Sequence, residues 1–240
     1  MKEQNNYKQI LTERKMRSDN KRGQVAIFII VAIVIVVGGI LIYFLFPGVQ
    51  SAIKGEIVPN NFIKNCVEEK VVEGVGILAK QGSYAEPEGY VLYQGNKIKY
   101  LCYTSQYFLP CNVQQPLIKR NFEVELEKMI EQKTDECVQD LRGEFEGKGY
   151  SVSGLTNSKA NVEIVPGNIR VIVDAPMSIS KDETTQSFRS FNVDIPSKMY
   201  ELLMIATSIV TFEATYGDSE TTLYYAYYPN LAIEKIKLGD

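Results

Sequence analysis

Histidine, the side chain that most often does acid–base and metal chemistry, is absent from all 240 residues, and tryptophan is absent too. An imidazole base, a His-containing triad and a His metal ligand are thereby excluded. A hydrolase would have to use paired carboxylates, a Ser-Lys dyad or a bound metal. Carboxylate pairs occur as Glu86 and Glu88, Asp182 and Glu183, and Asp218 and Glu220, each in a polar stretch that reads as a solvated turn. Neither DETTQS (182–187) nor GDSETT (217–222) supplies the alternating oxygen ligands of a Ca²⁺ loop. Ser197 and Lys198 are adjacent and so share no helix face, and no Gly-rich phosphate loop occurs. No catalytic, metal or cofactor residue is assigned, and a non-enzymatic role is expected.

The other reactive side chains are four cysteines, Cys66, Cys102, Cys111 and Cys137. Their spacings of 36, 9 and 26 residues match no zinc ribbon or finger, whereas an even number suits disulfides. Tyr224, Tyr225, Tyr227 and Tyr228 form the densest aromatic cluster. On a strand, Tyr225 and Tyr227 would share one face and Tyr224 and Tyr228 the other. One such face is a candidate contact surface for a protein or glycan partner, since tyrosine offers large area with a hydrogen-bonding tip.

The elements that must position these groups are readable from periodicity. Ile63, Val67, Val71, Gly74 and Leu78 make a helical stripe from Asn61 to Lys80, with Cys66 on its edge. Phe122, Leu126, Met129, Ile130, Cys137, Leu141 and Phe145 make a second, and the acidic residues off it, Glu123, Glu127 and Asp135 among them, read as a solvated face. With two cysteines facing a core on two helices, the expected pairing is Cys66–Cys137 and Cys102–Cys111. The first would close a loop of roughly 70 residues and stabilise by about 4 kcal/mol. A hairpin is expected with Gly95-Asn96 at its turn, then strands at 150–153, 161–165, 168–173 and 187–194. Ser197 is the expected N-cap of a helix from Met199 to Tyr216 with Leu202, Ile205, Ala206, Ile209 and Phe212 inward. A last strand is expected at 230–237, at an edge or lacking its partner strand.

Charge divides the chain at Gly23. Residues 1–23 hold seven Lys/Arg and three Asp/Glu, a balance of +4; the remaining 19 and 26 give −7. Between the two parts lies an uncharged apolar run from Val25 to Phe46, about 33 Å long as a helix at about 1.5 Å per residue, which suits a hydrocarbon core of about 30 Å. With the basic flank N-terminal, the positive-inside rule puts residues 1–23 in the cytoplasm and residues 48–240 outside, where disulfides persist.

Lys21-Arg22-Gly23-Gln24 followed by VAIFIIVAIVIVV resembles the class III signal of archaeal type IV pilin-like proteins. The resemblance implies processing between Gly23 and Gln24 with the hydrophobic helix retained. It departs at the fifth position after that cut, where Phe28 stands in place of the acidic residue that many pilins carry. With the Cys-bearing helix NNFIKNCVEEKVVEGVGILAK (60–80) and an α+β exterior part, the chain also resembles an uncharacterised group of archaeal membrane-anchored surface proteins, which implies no activity.

The expected organisation is a basic tail (1–23), a transmembrane helix (24–47), a stalk (48–60) and an extracellular α+β domain (61–240) of amphipathic helices packed on antiparallel sheet, with 61–147 and 148–240 as candidate subdomains. The expected function is a single-pass surface protein for adhesion or envelope assembly, with a self-assembling pilin-like subunit as the alternative. Its partners would be the lipid bilayer and a surface protein or glycan; the acidic exterior argues against nucleic acid.

Overall fold

The computed structural model describes residues 28–41, 57–106, 108–154 and 157–236. The chain divides into two compact units, residues 1–58 and 59–240. In the first, residues 28–41 form a helix, α1, whose apolar side chains, Phe28, Ile30 and Ile35 among them, are exposed. Among the described residues no helix is long and apolar enough to cross a membrane. The basic tail, Gly23 and Gln24, both ends of the expected span and stalk residues 48–56 lie outside the described residues.

The second unit is α+β, as expected. It runs α2 (Pro59–Lys80), β1 (Tyr90–Tyr93), β2 (Asn96–Lys99), β3 (Cys102–Tyr103), β4 (Asn112–Val113), α3 (Ile118–Gly147), β5 (Ser151–Gly154), β6 (Lys159–Val165), β7 (Asn168–Lys181), β8 (Thr184–Pro196), α4 (Met199–Tyr216) and α5 (Thr222–Tyr227). All strand pairs are antiparallel.

The buried residues of α2 are Ile63, Val67, Val71, Gly74 and Leu78, the whole expected stripe. The helix starts at Pro59, which belongs to α2 and does not end a stalk before it: a first-turn N–H has no helical partner, so proline costs nothing there. α3 lies antiparallel to α2, because Cys66 bonds Cys137 while Gly74, farther along α2, meets Leu126 and Met129, earlier in α3. A Cβ on Gly74 would fall 2.7 Å from Leu126 Cδ1, so a larger residue there would force the Leu126 side chain to shift.

The hairpin turn is Gln94-Gly95, one residue earlier than expected, with Tyr93 opposite Asn96. Both turn residues have positive φ, 48° and 79°, as the two-residue turn that matches strand twist requires.

The main sheet is built on β7. β6 and β5 pair successive halves of one of its edges, and β8 runs along the other. Alternate residues of β6, β7 and β8, from Val162 and Ile164 through Val171 and Val173 to Phe191 and Val193, are buried where α2 and α3 meet the sheet. The opposite face carries a cross-strand ladder in which Arg170 Nε donates to Asp194 Oδ1 at 3.0 Å and Glu163 lies 3.9 Å from Arg170. β7 and β8 are longer than expected, because Pro176 does not end the strand. It sits in a bulge between Asp174 and Met177, where a residue without an N–H is tolerated. The bulge also shifts the phase of β8: Phe188 faces Met177 on the buried side together with Phe191, and the two rings stack 5.7 Å apart.

The acidic residues of α3 are not simply a solvated face. Glu123 Oε1 accepts the backbone N–H of Ile164 at 2.9 Å, Glu127 Oε1 that of Val162 at 3.0 Å, and Asp135 Oδ1 that of Ser158 at 2.9 Å. Four residues of helix rise about 6.0 Å and two residues of strand about 6.8 Å, so an i+4 row of carboxylates matches alternate N–H groups of the strand. The free edge of β6 is closed to further pairing by this row. Lys119 at 2.5 Å and Arg120 at 3.6 Å from Glu123 balance its charge.

Candidate functional site

At the C-terminal end of the second unit, α4 leaves the core. Its buried residues are Met199, Leu203 and Ile205. Leu202 and Phe212, expected inward, are exposed, whereas Ile205 is buried and Ala206 and Ile209 are half-buried, so the expected stripe holds in its middle and fails at its two ends. Ser197 is displaced from the N-cap position by Lys198, yet its Oγ accepts the N–H of Met199 at 3.2 Å, so the hydroxyl still serves the helix start. Thr207, Thr211 and Thr215 donate to the carbonyls of Leu203, Thr207 and Thr211, each at 2.7 or 2.8 Å. This back-bonding hides three hydroxyls along one row and leaves Phe212 and Tyr216 as the projecting side chains of the last turns.

Gly217 caps α4 with φ of 78°. A Cβ there would lie 2.5 Å from the carbonyl oxygen of Phe108, so both conformation and space require glycine. Phe108 belongs to the loop closed by the Cys102–Cys111 disulfide, and Cys111 N–H donates to Glu213 O at 3.3 Å. Both disulfides are the expected ones, with Cα–Cα distances of 5.8 Å for Cys66–Cys137 and 5.5 Å for Cys102–Cys111.

The tyrosine cluster lies on a helix and not on a strand. α5 spans Thr222–Tyr227, and Tyr228 N–H donates to Tyr224 O at 2.8 Å. Strand propensity of Thr and Tyr loses here to a local start signal: the Glu220 carboxylate accepts both the N–H of Thr222, at 3.1 Å, and its hydroxyl, at 2.6 Å. Those bonds hold the Glu220 carboxyl below the usual value. Tyr224 turns back onto α4, its hydroxyl 2.8 Å from Ser208 Oγ, whereas Tyr225, Tyr227 and Tyr228 are exposed, Tyr227 at 79%. Residues 231–236 form no strand, so the expected last strand is absent from the described residues.

Between α4 and α5 lies a groove of about 280 Å³. Phe212, Tyr216, Leu223, Tyr224 and Tyr227 wall it, and Ser208 and Ser219 supply hydroxyls. Ser219 is 1% exposed, and its Oγ has no hydrogen-bond partner among the described residues. The carboxylates at the rim are already engaged: Asp218 with Lys235, Glu213 with Ser219 N–H at 2.9 Å, and Glu220 with Thr222. Of the expected contact residues the groove gathers Tyr224 and Tyr227; Tyr225 and Tyr228 lie outside it. Ser208, Tyr216 and Ser219 were not singled out by sequence reasoning, and the Thr row at i+4 spacing is the signal that could have placed Phe212 and Tyr216 outward.

The other carboxylate pairs stay apart from this groove. Asp182 and Glu183 form the β7–β8 turn, with Asp182 at φ of 54°, and Glu86 and Glu88 lie between α2 and β1. Among the described residues no group of three or more His, Cys, Asp or Glu side chains is placed to hold a metal ion. The chain matches no protein-family model, no curated protein and no solved structure.

Proposed function

We propose that this chain is a single-pass, membrane-anchored surface protein that presents the Pro59–Asp240 unit outside the cell for a non-catalytic role in adhesion or envelope assembly. The observation that carries the reading is that all four cysteines are paired in two disulfides, which persist in oxidising compartments. The uncharged run Val25–Phe46, with its basic flank on the N-terminal side, supports an anchor and this orientation. The exposed aromatic side chains of α4 and α5 are the surface proposed to meet a partner.

Protease treatment of intact cells tests this directly. Cleavage within 59–240, with the basic tail protected until the cells are permeabilised, is the expected result; a protected domain would exclude the reading. The motif Lys21-Arg22-Gly23-Gln24 favours a second reading, a type IV pilin-like subunit processed between Gly23 and Gln24. Sequencing the N-terminus of the membrane-extracted protein separates the two: Gln24 supports the pilin-like reading, and an intact tail excludes it.

A further inference from the structure

We infer that the groove between α4 and α5 binds the ring of a neutral sugar, an inference that rests on the surface-display reading above and names the chemistry of its contact. A sugar ring offers an apolar face of C–H groups and a rim of hydroxyls. The groove offers the complement. Phe212, Tyr216 and Tyr227 present aromatic faces, and the first two rings lie 5.7 Å apart at 35°. Ser219 Oγ is buried without a partner among the described residues, a state that costs free energy unless a ligand hydroxyl meets it. The Tyr224 and Ser208 hydroxyls, 2.8 Å apart, share one hydrogen bond and keep capacity for another.

Charge selects against other ligand classes. Aromatic walls beside acidic residues would suit an organic cation, but Asp218 is held by Lys235, and Glu220 is bonded by Thr222. Among the described residues no cation lines the groove, and Lys235 beside it is paired with Asp218 and lies 4.0 Å from Glu213, so an anion finds no partner there. What remains for a ligand is aromatic surface and hydroxyls, uncharged on balance. The volume, about 280 Å³, lies just below the roughly 300–1,000 Å³ of small-ligand sites, so one ring is accommodated and not a chain.

The test uses the full chain in phospholipid nanodiscs, which carry no sugar headgroups, titrated with glucose, galactose, mannose and N-acetylglucosamine and read by saturation-transfer NMR. At least one of these should bind saturably in the millimolar range that a single small ring reaches. Ser219→Ala and Tyr227→Ala should each weaken it by about tenfold or more. Ser219→Ala should leave the melting temperature unchanged or raised, since it removes an unpartnered polar atom, and this separates a binding role from a structural one. The inference is overturned if none of the four sugars saturates, if both variants bind as the parent does, or if tetramethylammonium binds the groove and the sugars do not. Sugar binding absent from a domain that is protease-accessible on cells rejects this inference alone. Binding retained by a domain that proves to be inside the cell rejects the display reading alone.

Discussion

Glu123 on α3 accepts the backbone N–H of Ile164 on β6 at 2.9 Å, so a helix carboxylate takes the place of a neighbouring strand at the edge of the main sheet. Glu123→Ala should leave that N–H without a partner in a nearly dry site and destabilise by about 2–4 kcal/mol. The melting temperature of a domain of this size should fall by about 2–4 °C per kcal/mol. Glu123→Gln, which keeps an acceptor, should lose less than half as much. Equal losses in the two variants would show that the charge and not the hydrogen bond matters.

The two disulfides should contribute unequally. Replacing Cys66 and Cys137 together by alanine removes a closure across 71 residues and should cost about 4 kcal/mol in urea unfolding; replacing Cys102 and Cys111 removes a nine-residue closure and should cost about 2.5 kcal/mol. The reverse order would mean that the 71-residue loop is already ordered in the unfolded chain, so that closing it removes less entropy than chain statistics give. Peptide mapping without reductant should recover only these two pairs.

Tyr84 links the α2 end to α3: its hydroxyl donates to Gln115 Oε1 at 2.8 Å, and the neighbouring Ala85 N–H donates to Glu125 at 3.3 Å. Burial, and then the Glu125 charge, push the Tyr84 hydroxyl above the ordinary 10.0. Because the folded value is the raised one, its contribution to stability is complete below pH 10.0 and is lost as pH climbs through the higher folded value. Absorbance of tyrosinate should show one tyrosine ionising above pH 10.0 that Tyr84→Phe removes and Glu125→Gln moves back toward 10.0. An unchanged titration in Tyr84→Phe would place the late tyrosine elsewhere.

Gly217→Ala should destabilise by at least about 2 kcal/mol, from positive φ and from the clash with Phe108 O. The change should also shift the resonances of residues 102–111, because that loop abuts the α4 cap. A variant with parental stability and an unperturbed loop would contradict the observed packing.

How much of this was legible in the chain depends on the kind of signal. The α2 stripe could be read in full because a buried helix face has one period, and Cys66 and Cys137 could be paired because each sat on such a face. Glu123, Glu127 and Asp135 could not be read as edge caps. A charge off the apolar stripe looks the same whether it meets water or a strand, and only the strand it meets decides. The expected strand at 168–173 stopped short of Pro176, and the bulge that carries the ladder past this proline arises only in the pairing of β7 with β8, where the register shifts between Asp174 and Met177. Tyr224–Tyr228 read as a strand from propensity, whereas Glu220, a few residues upstream, starts a helical turn. The groove drew on Ser208 and Ser219, which carry no periodic signal.

The Cys66–Cys137 bond also gives the domain a mechanical property. Tension applied between the two ends of the chain would leave α2 at Cys66 and enter α3 at Cys137 through the sulfur bridge, bypassing most of both helices, the β1–β2 hairpin and the Cys102–Cys111 loop. Those segments are shunted out of the load path while β5 to β8 remain in it. Reduction would release 71 residues of slack, about 250 Å of contour at about 3.5 Å each. A domain tethered at one end and gripped at the other would therefore have a reach set by its redox state.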